Sequence, residues 1–163
     1  MTAAQLDPVP QLNAALSRPV EILLVEDSPS DAAMTVEALK EGRIVIQLSV
    51  ATDGEMAMAM LRNEGDYVDA VRPDLIILDL NLPKMDGREV LDQIKTDDAL
   101  MSIPVVILTS SSAETDILQS YQLRANSYVT KPVGLDAFLA AVRGIEDFWL
   151  SLVRLPPTQS PRQ

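Results

Sequence analysis

The sequence predicts a single α/β domain built on a parallel, doubly wound sheet. A length of 163 residues with a hydrophobic share of 47% is enough for one packed core and too short for two. Short apolar runs alternate with amphipathic segments along most of the chain. Such a succession of strand–helix units favours a parallel sheet with helices on both faces.

The first two units follow from local patterns. The apolar run at 20–25 predicts a strand, and segment 30–41 has the spacing of a helix with one apolar face. Gly42 is a suitable end for that helix. Residues 45–51 are rich in β-branched side chains and predict the second strand, and 53–63 predicts a helix capped by its first residue or by Thr52.

The third strand gives the clearest pattern. Residues 75–78 are apolar at every position and lie between prolines, which is typical of a strand buried on both faces. Pro104 suits the first position of a strand, where no backbone donor is needed. The remaining predicted elements are a helix at 88–95, a strand at 104–109, a helix at 113–123, a strand at 127–130 and a long helix at 135–152.

The two ends lack this periodicity. Residues 1–19 predict a flexible arm, residues 20–153 the folded domain and residues 154–163 a Pro-rich tail. No apolar stretch reaches the length of a membrane span, and no signal peptide is recognisable. The chain contains no cysteine, so no disulfide framework is expected. These observations favour the cytoplasm.

Composition also excludes several functions. The 13 basic and 24 acidic residues give a formal charge of −11, which disfavours nucleic acid and anionic membranes as partners. The chain contains no histidine, which excludes Ser-His-Asp catalysis and His-ligated zinc within this chain.

Acidic side chains follow two of the predicted strands. Asp79 ends the run at 75–78, and Glu26 and Asp27 follow the run at 20–25. Open α/β sheets bind ligands at the carboxyl ends of their strands, so the three carboxylates should converge. They would repel one another and raise one another's pKa unless a cation lay among them. The pattern predicts a Mg²⁺ site with one carboxylate free to act as a nucleophile.

Two further strand ends carry Thr109 and Lys131. A nucleophilic carboxylate, a metal, a hydroxyl and an ammonium are the groups that phosphoryl transfer requires. Each residue alone has a simpler interpretation, such as a solvated loop carboxylate, a helix cap, a hydroxyl bonded to backbone or a surface charge. Their occurrence at successive strand ends favours a joint role.

Five stretches make the chain recognisable. They are Leu-Leu-Val-Glu-Asp at 23–27, Asp-Leu-Ile-Ile-Leu-Asp-Leu-Asn-Leu-Pro at 74–83, Met-Asp-Gly at 85–87, Pro-Val-Val-Ile-Leu-Thr at 104–109 and Tyr-Val-Thr-Lys-Pro at 128–132. Over roughly residues 20–145 the chain resembles the receiver domain of two-component response regulators. The resemblance implies a flavodoxin-like (βα)5 fold with strand order 2-1-3-4-5.

The resemblance also implies roles for individual residues. The phosphoryl acceptor would be Asp79, assisted by the switch hydroxyl of Thr109 and the ammonium of Lys131. Tyr128 would be an aromatic switch coupled to Thr109. The Lys131–Pro132 peptide bond would be cis. The Mg²⁺ ligands would be Glu26 through water, Asp27, Asp79 and the backbone carbonyl of Asn81.

A narrower resemblance is to stand-alone regulators paired with phytochrome-type histidine kinases. It rests on segments 79–84 and 86–91, the loop at 67–73 and the ending at 145–150, with Leu155 and Pro156. It implies a sensor histidine kinase as phosphoryl donor and leaves room for a downstream phosphotransfer protein. No output domain is expected after Gln163. The chain would be a signalling protein that catalyses only its own phosphorylation and dephosphorylation.

Other interpretations remain open at this point. A pseudo-receiver scaffold would never carry phosphate, but the full set of site residues counts against it. An aspartyl-phosphate hydrolase would need an Asp-x-Asp motif, whereas this chain has Asp79-Leu80-Asn81. A transcription factor would need a DNA-binding segment, and none is visible.

The last predicted helix carries more apolar residues than one face needs. Ile145, Phe148, Trp149 and Leu152 are therefore candidates for a homodimer interface. The alternative is that this segment folds back on its own domain.

Overall fold

The computed structural model describes residues 18–157, and these form one five-stranded parallel sheet in the order β2-β1-β3-β4-β5. The predicted fold class and strand order are confirmed. The strands are β1 (Val20–Val25), β2 (Ile46–Ala51), β3 (Leu75–Leu78), β4 (Val105–Thr109) and β5 (Ser127–Thr130). The helices are α1 (Pro29–Lys40), α2 (Gly54–Leu61), α3 (Gly87–Thr96), α4 (Glu114–Gln122) and α5 (Leu135–Glu146), with a 3₁₀ turn at Gly65–Tyr67.

The sheet is covered on both faces because its side chains alternate between two apolar clusters. Leu23 and Ile76 belong to the cluster beneath α2 and α3. Leu24 and Ile77, one residue further along their strands, belong to the cluster beneath α1 and α5. This alternation is the period of two that a strand imposes. It explains why all four residues of β3 are buried, as its apolar run predicts.

Side-chain caps fix the starts of α1, α2 and α3, and the predicted bounds of the first four helices differ from the observed ones by one or two residues. Asp53 Oδ1 accepts the backbone N–H of Met56 at 2.7 Å, which makes Asp53 rather than Thr52 the cap of α2. Asp86 caps α3 in the same way. Ser28 caps α1 and directs its first turn toward the carboxyl end of β1.

The last helix does not run uniformly to Leu152. After Glu146 it widens into a π-type turn over Asp147–Leu152, in which the N–H of Val153 donates to the carbonyl of Phe148, five residues earlier, at 2.9 Å. The wider turn places both Trp149 and Leu150 in the core.

The burial of two of its four residues corrects the predicted dimer surface. Ile145 and Trp149 are only 5% and 9% exposed, because they pack against the domain's own sheet. They are not available to a partner. Phe148 and Leu152 remain exposed, at 49% and 74%.

The described residues extend slightly beyond the predicted domain. Arg18 forms an ion pair with Asp74 at 2.9 Å, and Leu155 packs against the core. The rest of the predicted arm, residues 1–17, and of the tail, residues 158–163, lies outside the described residues. Among residues 18–157, no helix has the length and apolar character that a membrane crossing requires.

Candidate functional site

Three carboxylates meet at the carboxyl ends of β1 and β3. Oxygen atoms of Glu26, Asp27 and Asp79 lie within 4.8 Å of one another. The strands bring them together directly, because the N–H of Asp79 donates to the carbonyl of Val25 at 3.0 Å. Glu26 and Asp79 are buried, whereas Asp27 is exposed. The cluster is thus closed on the protein side and open to solvent at Asp27.

Backbone donors and close packing hold these carboxylates in place. The N–H of Ser28 donates to Glu26 Oε1 at 3.0 Å, and that of Asn81 donates to Asp79 Oδ1 at 3.2 Å. Gly87 lies against the backbone after β3, where an added Cβ would be 2.2 Å from the carbonyl oxygen of Asp79. Only glycine permits this approach, so α3 packs tightly under the acidic cluster.

Lys131, just after β5, reaches into the cluster from the opposite side. Its ammonium is 2.6 Å from Glu26 Oε2, 2.9 Å from Asp31 Oδ2 and 3.0 Å from Asp79 Oδ2. The Lys131 side chain is 8% exposed. An ammonium has three N–H donors, and each has a carboxylate partner here. Lys131 therefore links β1, α1, β3 and β5 through charge-assisted hydrogen bonds.

Asp31 is a site residue that sequence reasoning missed. It lies in the first turn of α1, which starts at the same sheet edge as Glu26 and Asp27. The helix dipole ordinarily explains an acidic residue in the first turn of a helix. Because that explanation is sufficient, the sequence does not indicate the contact with Lys131. The position of Asp31 four residues after Asp27, in a helix beginning at the site, was the available signal.

The electrostatics of the cluster follow from its burial. Burial raises the pKa of Glu26 to about 7. Hydrogen bonds from Lys131 and Ser28 favour the charged form and oppose this rise, but they do not outweigh it. Burial alone would lower the pKa of Lys131. Its hydrogen bonds to Glu26, Asp31 and Asp79 outweigh that effect and raise the Lys131 pKa, so the ammonium stays charged.

The donor set fits a divalent cation. Lys131 offsets only one of the four carboxylate charges around it, so an excess of negative charge remains when all four are ionised. Carboxylate oxygens are the ligands preferred by hard cations such as Mg²⁺. Because Asp27 is exposed, a cation bound here would keep coordination positions for water or a ligand oxygen. Exposed Asn81 lies beside Asp79, to which its backbone N–H donates.

The two predicted switch residues lie on adjacent strands. Thr109, at the end of β4, is buried, and within residues 18–157 its hydroxyl has no hydrogen-bond partner. Its carbonyl accepts the N–H of Lys131 at 2.7 Å, so β4 and β5 stay paired up to the site. The hydroxyl of Tyr128 on β5 donates to the carbonyl of Ser111 at 2.8 Å. Burying an unpaired hydroxyl is costly, which marks Thr109 as a residue with another use.

The cis peptide expected before Pro132 is wrong. The bond between Lys131 and Pro132 is trans in the structure. The trans form is favoured by about 0.5–1 kcal/mol for bonds to proline, and Lys131 reaches all three carboxylates without the cis form.

Comparison with known proteins agrees with this geometry. The family model of the response regulator receiver domain matches residues 22–143. The chain belongs to this family. The receiver is 50% identical to the response regulator Rcp1 of Synechocystis sp. over 138 residues, which cover 85% of this chain and 94% of that protein.

Solved structures of response regulators also resemble this chain. A crystal structure of the Mn²⁺-bound form of Rcp1 superposes with a TM-score of 0.83 at 50% identity, covering 85% of this chain and all of the other. A structure of the phosphorylated cyanobacterial phytochrome response regulator RcpA superposes with a TM-score of 0.84 at 49% identity, covering 86% of this chain and all of the other. The chain is thus a signalling protein related to phytochrome response regulators, with an acidic cluster suited to a divalent metal.

Glu26 gives the receiver a testable pH dependence. In the metal-free fold Glu26 keeps its proton up to about pH 7, whereas the unfolded chain loses it near the ordinary value of 4.5. Between these values the folded state binds more protons, so the free energy of unfolding should fall as pH rises. For Glu26 alone the fall is at most about 3 kcal/mol.

Urea unfolding in EDTA at pH 5 and pH 7.5 measures this effect. The Glu26→Gln variant should lose less stability than the parent across this range. Glu55→Gln, which removes an exposed carboxylate, is the control and should behave as the parent. Equal pH dependence in the parent and in Glu26→Gln would contradict the prediction.

Proposed function

We propose that this receiver accepts a phosphoryl group on Asp79 from a sensor histidine kinase and thereby changes its protein-binding surface. The observation that carries the proposal is the position of the Lys131 ammonium, 3.0 Å from Asp79 and 2.6 Å from Glu26. Asp79 has an acid cluster on one side and a fixed cation on the other. This is the arrangement that a carboxylate needs to approach a phosphorylated, anionic partner.

The reaction balances with the groups available. A carboxylate oxygen of Asp79 attacks the phosphorus of a phosphohistidine, the new P–O bond forms and the P–N bond breaks. The departing imidazole keeps the electron pair of the broken P–N bond and takes up a proton from solvent water. Lys131 stays charged throughout and offsets negative charge that gathers on the phosphoryl oxygens. Hydrolysis of the acyl phosphate by water at the open side, near Asp27, returns the chain to its starting state.

Mg²⁺ is the proposed cofactor, held by Glu26 through water, by Asp27 and Asp79, and by the backbone carbonyl of Asn81. When bound, it supplies further neutralisation of the phosphoryl oxygens. The oxygen donors support a hard cation, and the Mn²⁺-bound form of Rcp1 supports a divalent one.

Phosphorylation would be transmitted through Thr109 and Tyr128. The unpaired Thr109 hydroxyl gains a partner if it turns to a phosphoryl oxygen. That turn removes the cost of its present burial, so phosphate biases an existing equilibrium between two arrangements. Tyr128, on the strand paired with Thr109, would follow because its hydroxyl is bonded to the segment after Thr109.

Membership of the receiver family implies a histidine kinase as partner, and we propose that the kinase is of the phytochrome type. RcpA, a cyanobacterial phytochrome response regulator, is 49% identical over 86% of this chain and supports this assignment. A downstream phosphotransfer protein is a further proposed partner. The charge of −11 disfavours nucleic acid as a direct target.

Phosphorylation can be tested without the kinase. Incubation with acetyl phosphate and Mg²⁺, followed by intact mass, should show one added phosphate per chain and none in Asp79→Asn. Addition of EDTA should abolish the gain. No added mass in the parent would favour the pseudo-receiver interpretation, and phosphate on Asp79→Asn would place the acceptor elsewhere.

The homodimer remains a proposal with a reduced interface. Phe148 and Leu152 are the exposed candidates, and Phe148 is oriented by an edge-to-face contact with buried Trp149 at 5.4 Å between ring centroids. Two exposed apolar side chains on consecutive turns suit the centre of a small interface.

Sedimentation of a Phe148→Asp, Leu152→Asp double variant tests the dimer. We expect the parent to sediment as a dimer and the variant as a monomer. Leu118→Asp, at another exposed apolar residue, should not change the parent's behaviour. A parent that stays monomeric with and without acetyl phosphate would contradict the dimer.

A further inference from the structure

A chain of polar contacts joins α3, α4 and β5 beside the candidate site. Arg88, in the first turn of α3, lies 2.7 Å from Asp116 Oδ1 and 3.1 Å from Asp86. Asp116, in the first turn of α4, accepts the hydroxyl of Ser111 at 2.6 Å through Oδ2. The carbonyl of Ser111 accepts the hydroxyl of Tyr128 at 2.8 Å. We refer to the Arg88–Asp116 pair with its bond to Ser111 as the latch.

The latch is less exposed to solvent than an ordinary surface ion pair, and it contains an additional hydrogen bond. The side chains of Arg88 and Asp116 are 23% and 22% exposed. Those of Arg143 and Glu41, which form a pair of similar length between other helices, are 53% and 56% exposed. Both oxygens of Asp116 are used, and the hydrogen bonds from Ser111 and Arg88 lower its pKa, so it stays ionised at neutral pH. Networks of this kind contribute more than isolated exposed pairs.

The latch acts on the segment that carries the switch. Ser111 comes two residues after Thr109, and it is tied to Asp116 through its side chain and to Tyr128 through its carbonyl. In this arrangement the hydroxyl of Thr109 is buried and, within residues 18–157, has no hydrogen-bond partner. A turn of Thr109 toward Asp79 that moves this segment would weaken the bonds at Ser111.

We propose that Arg88 and Asp116 are positioning residues that hold the segment after β4 in its unphosphorylated arrangement and so slow phosphorylation of Asp79. The proposal rests on the function proposed above and adds a regulatory contact to it. Molecules in which the Arg88–Asp116 contact is broken are competent for phosphorylation. The apparent rate of phosphorylation therefore rises with the fraction of such molecules.

The sign of the effect separates the latch from simple electrostatics. Arg88 is a cation and Asp116 an anion near the path of an anionic phosphoryl donor. If charge alone mattered, removing Arg88 would slow phosphorylation and removing Asp116 would speed it. If the latch matters, both removals speed it, because each one opens the same contact.

The experiment compares Arg88→Met, Asp116→Asn and the double variant with the parent. The initial rate of phosphorylation by acetyl phosphate and Mg²⁺ is followed by intact mass. We expect each single variant to react about threefold faster, and the double variant to react no faster than either single, because one contact is lost in all three. Arg143→Met, which breaks the exposed pair with Glu41, should match the parent.

A second measurement needs no phosphate. Fluorotyrosine is incorporated in place of the three tyrosines, and the ¹⁹F signal of Tyr128 is assigned with Tyr128→Phe. In the unphosphorylated chain, Arg88→Met and Asp116→Asn should both move this signal in one direction, while Arg143→Met leaves it in place.

Each outcome decides a separate point. Rates that change in opposite directions, or a Tyr128 signal that neither variant moves, would overturn the latch. A parent that takes up no phosphate would instead contradict the proposed function. In that case the ¹⁹F arm still tests whether Arg88 and Asp116 hold the segment beside Tyr128.

Discussion

The ammonium of Lys131 is what allows carboxylates to be buried together at the edge of the sheet. It lies within 3.0 Å of carboxylates from three elements, Glu26 after β1, Asp31 in α1 and Asp79 after β3. Without that charge, burial of the carboxylates at one sheet edge would be opposed by desolvation and mutual repulsion. One ammonium does not neutralise the charge of the carboxylates around it. The remaining negative charge favours the binding of a metal cation. Burial, with a smaller contribution from the neighbouring charge of Asp79, raises the pKa of Glu26 to about 7.

The fold and the main site residues could be predicted from sequence because each depends on local pattern plus one topological rule. The run at 75–78 predicts a buried strand, and parallel strands bring their carboxyl ends together, so Asp79 and Glu26 had to be neighbours. Strand order and individual roles came from the resemblance. Residues that matter because they join distant elements could not be predicted from a local sequence pattern.

Asp31, Arg88 and Asp116 illustrate that limit. Each is a charged residue in the first turn of a helix, where the helix dipole suffices to explain the two aspartates and solvation suffices for Arg88. Only the ion pairs of Asp31 with Lys131, and of Arg88 with Asp116, show what these residues contact. The π-type turn after Glu146 escaped prediction for another reason. Regular helical spacing places Leu150 off the apolar face, whereas the wider turn buries it beside Trp149.

A single divalent-cation site formed by side chains from separate strand ends should bind Mn²⁺. Titration with Mn²⁺, followed by the EPR signal of the free ion, tests it most directly. We expect one tightly bound ion per chain, and an affinity at least about tenfold weaker in Asp27→Asn. Asp66→Asn, which removes an exposed carboxylate elsewhere, should bind as the parent does. Equal affinity in the parent and in Asp27→Asn would contradict the account.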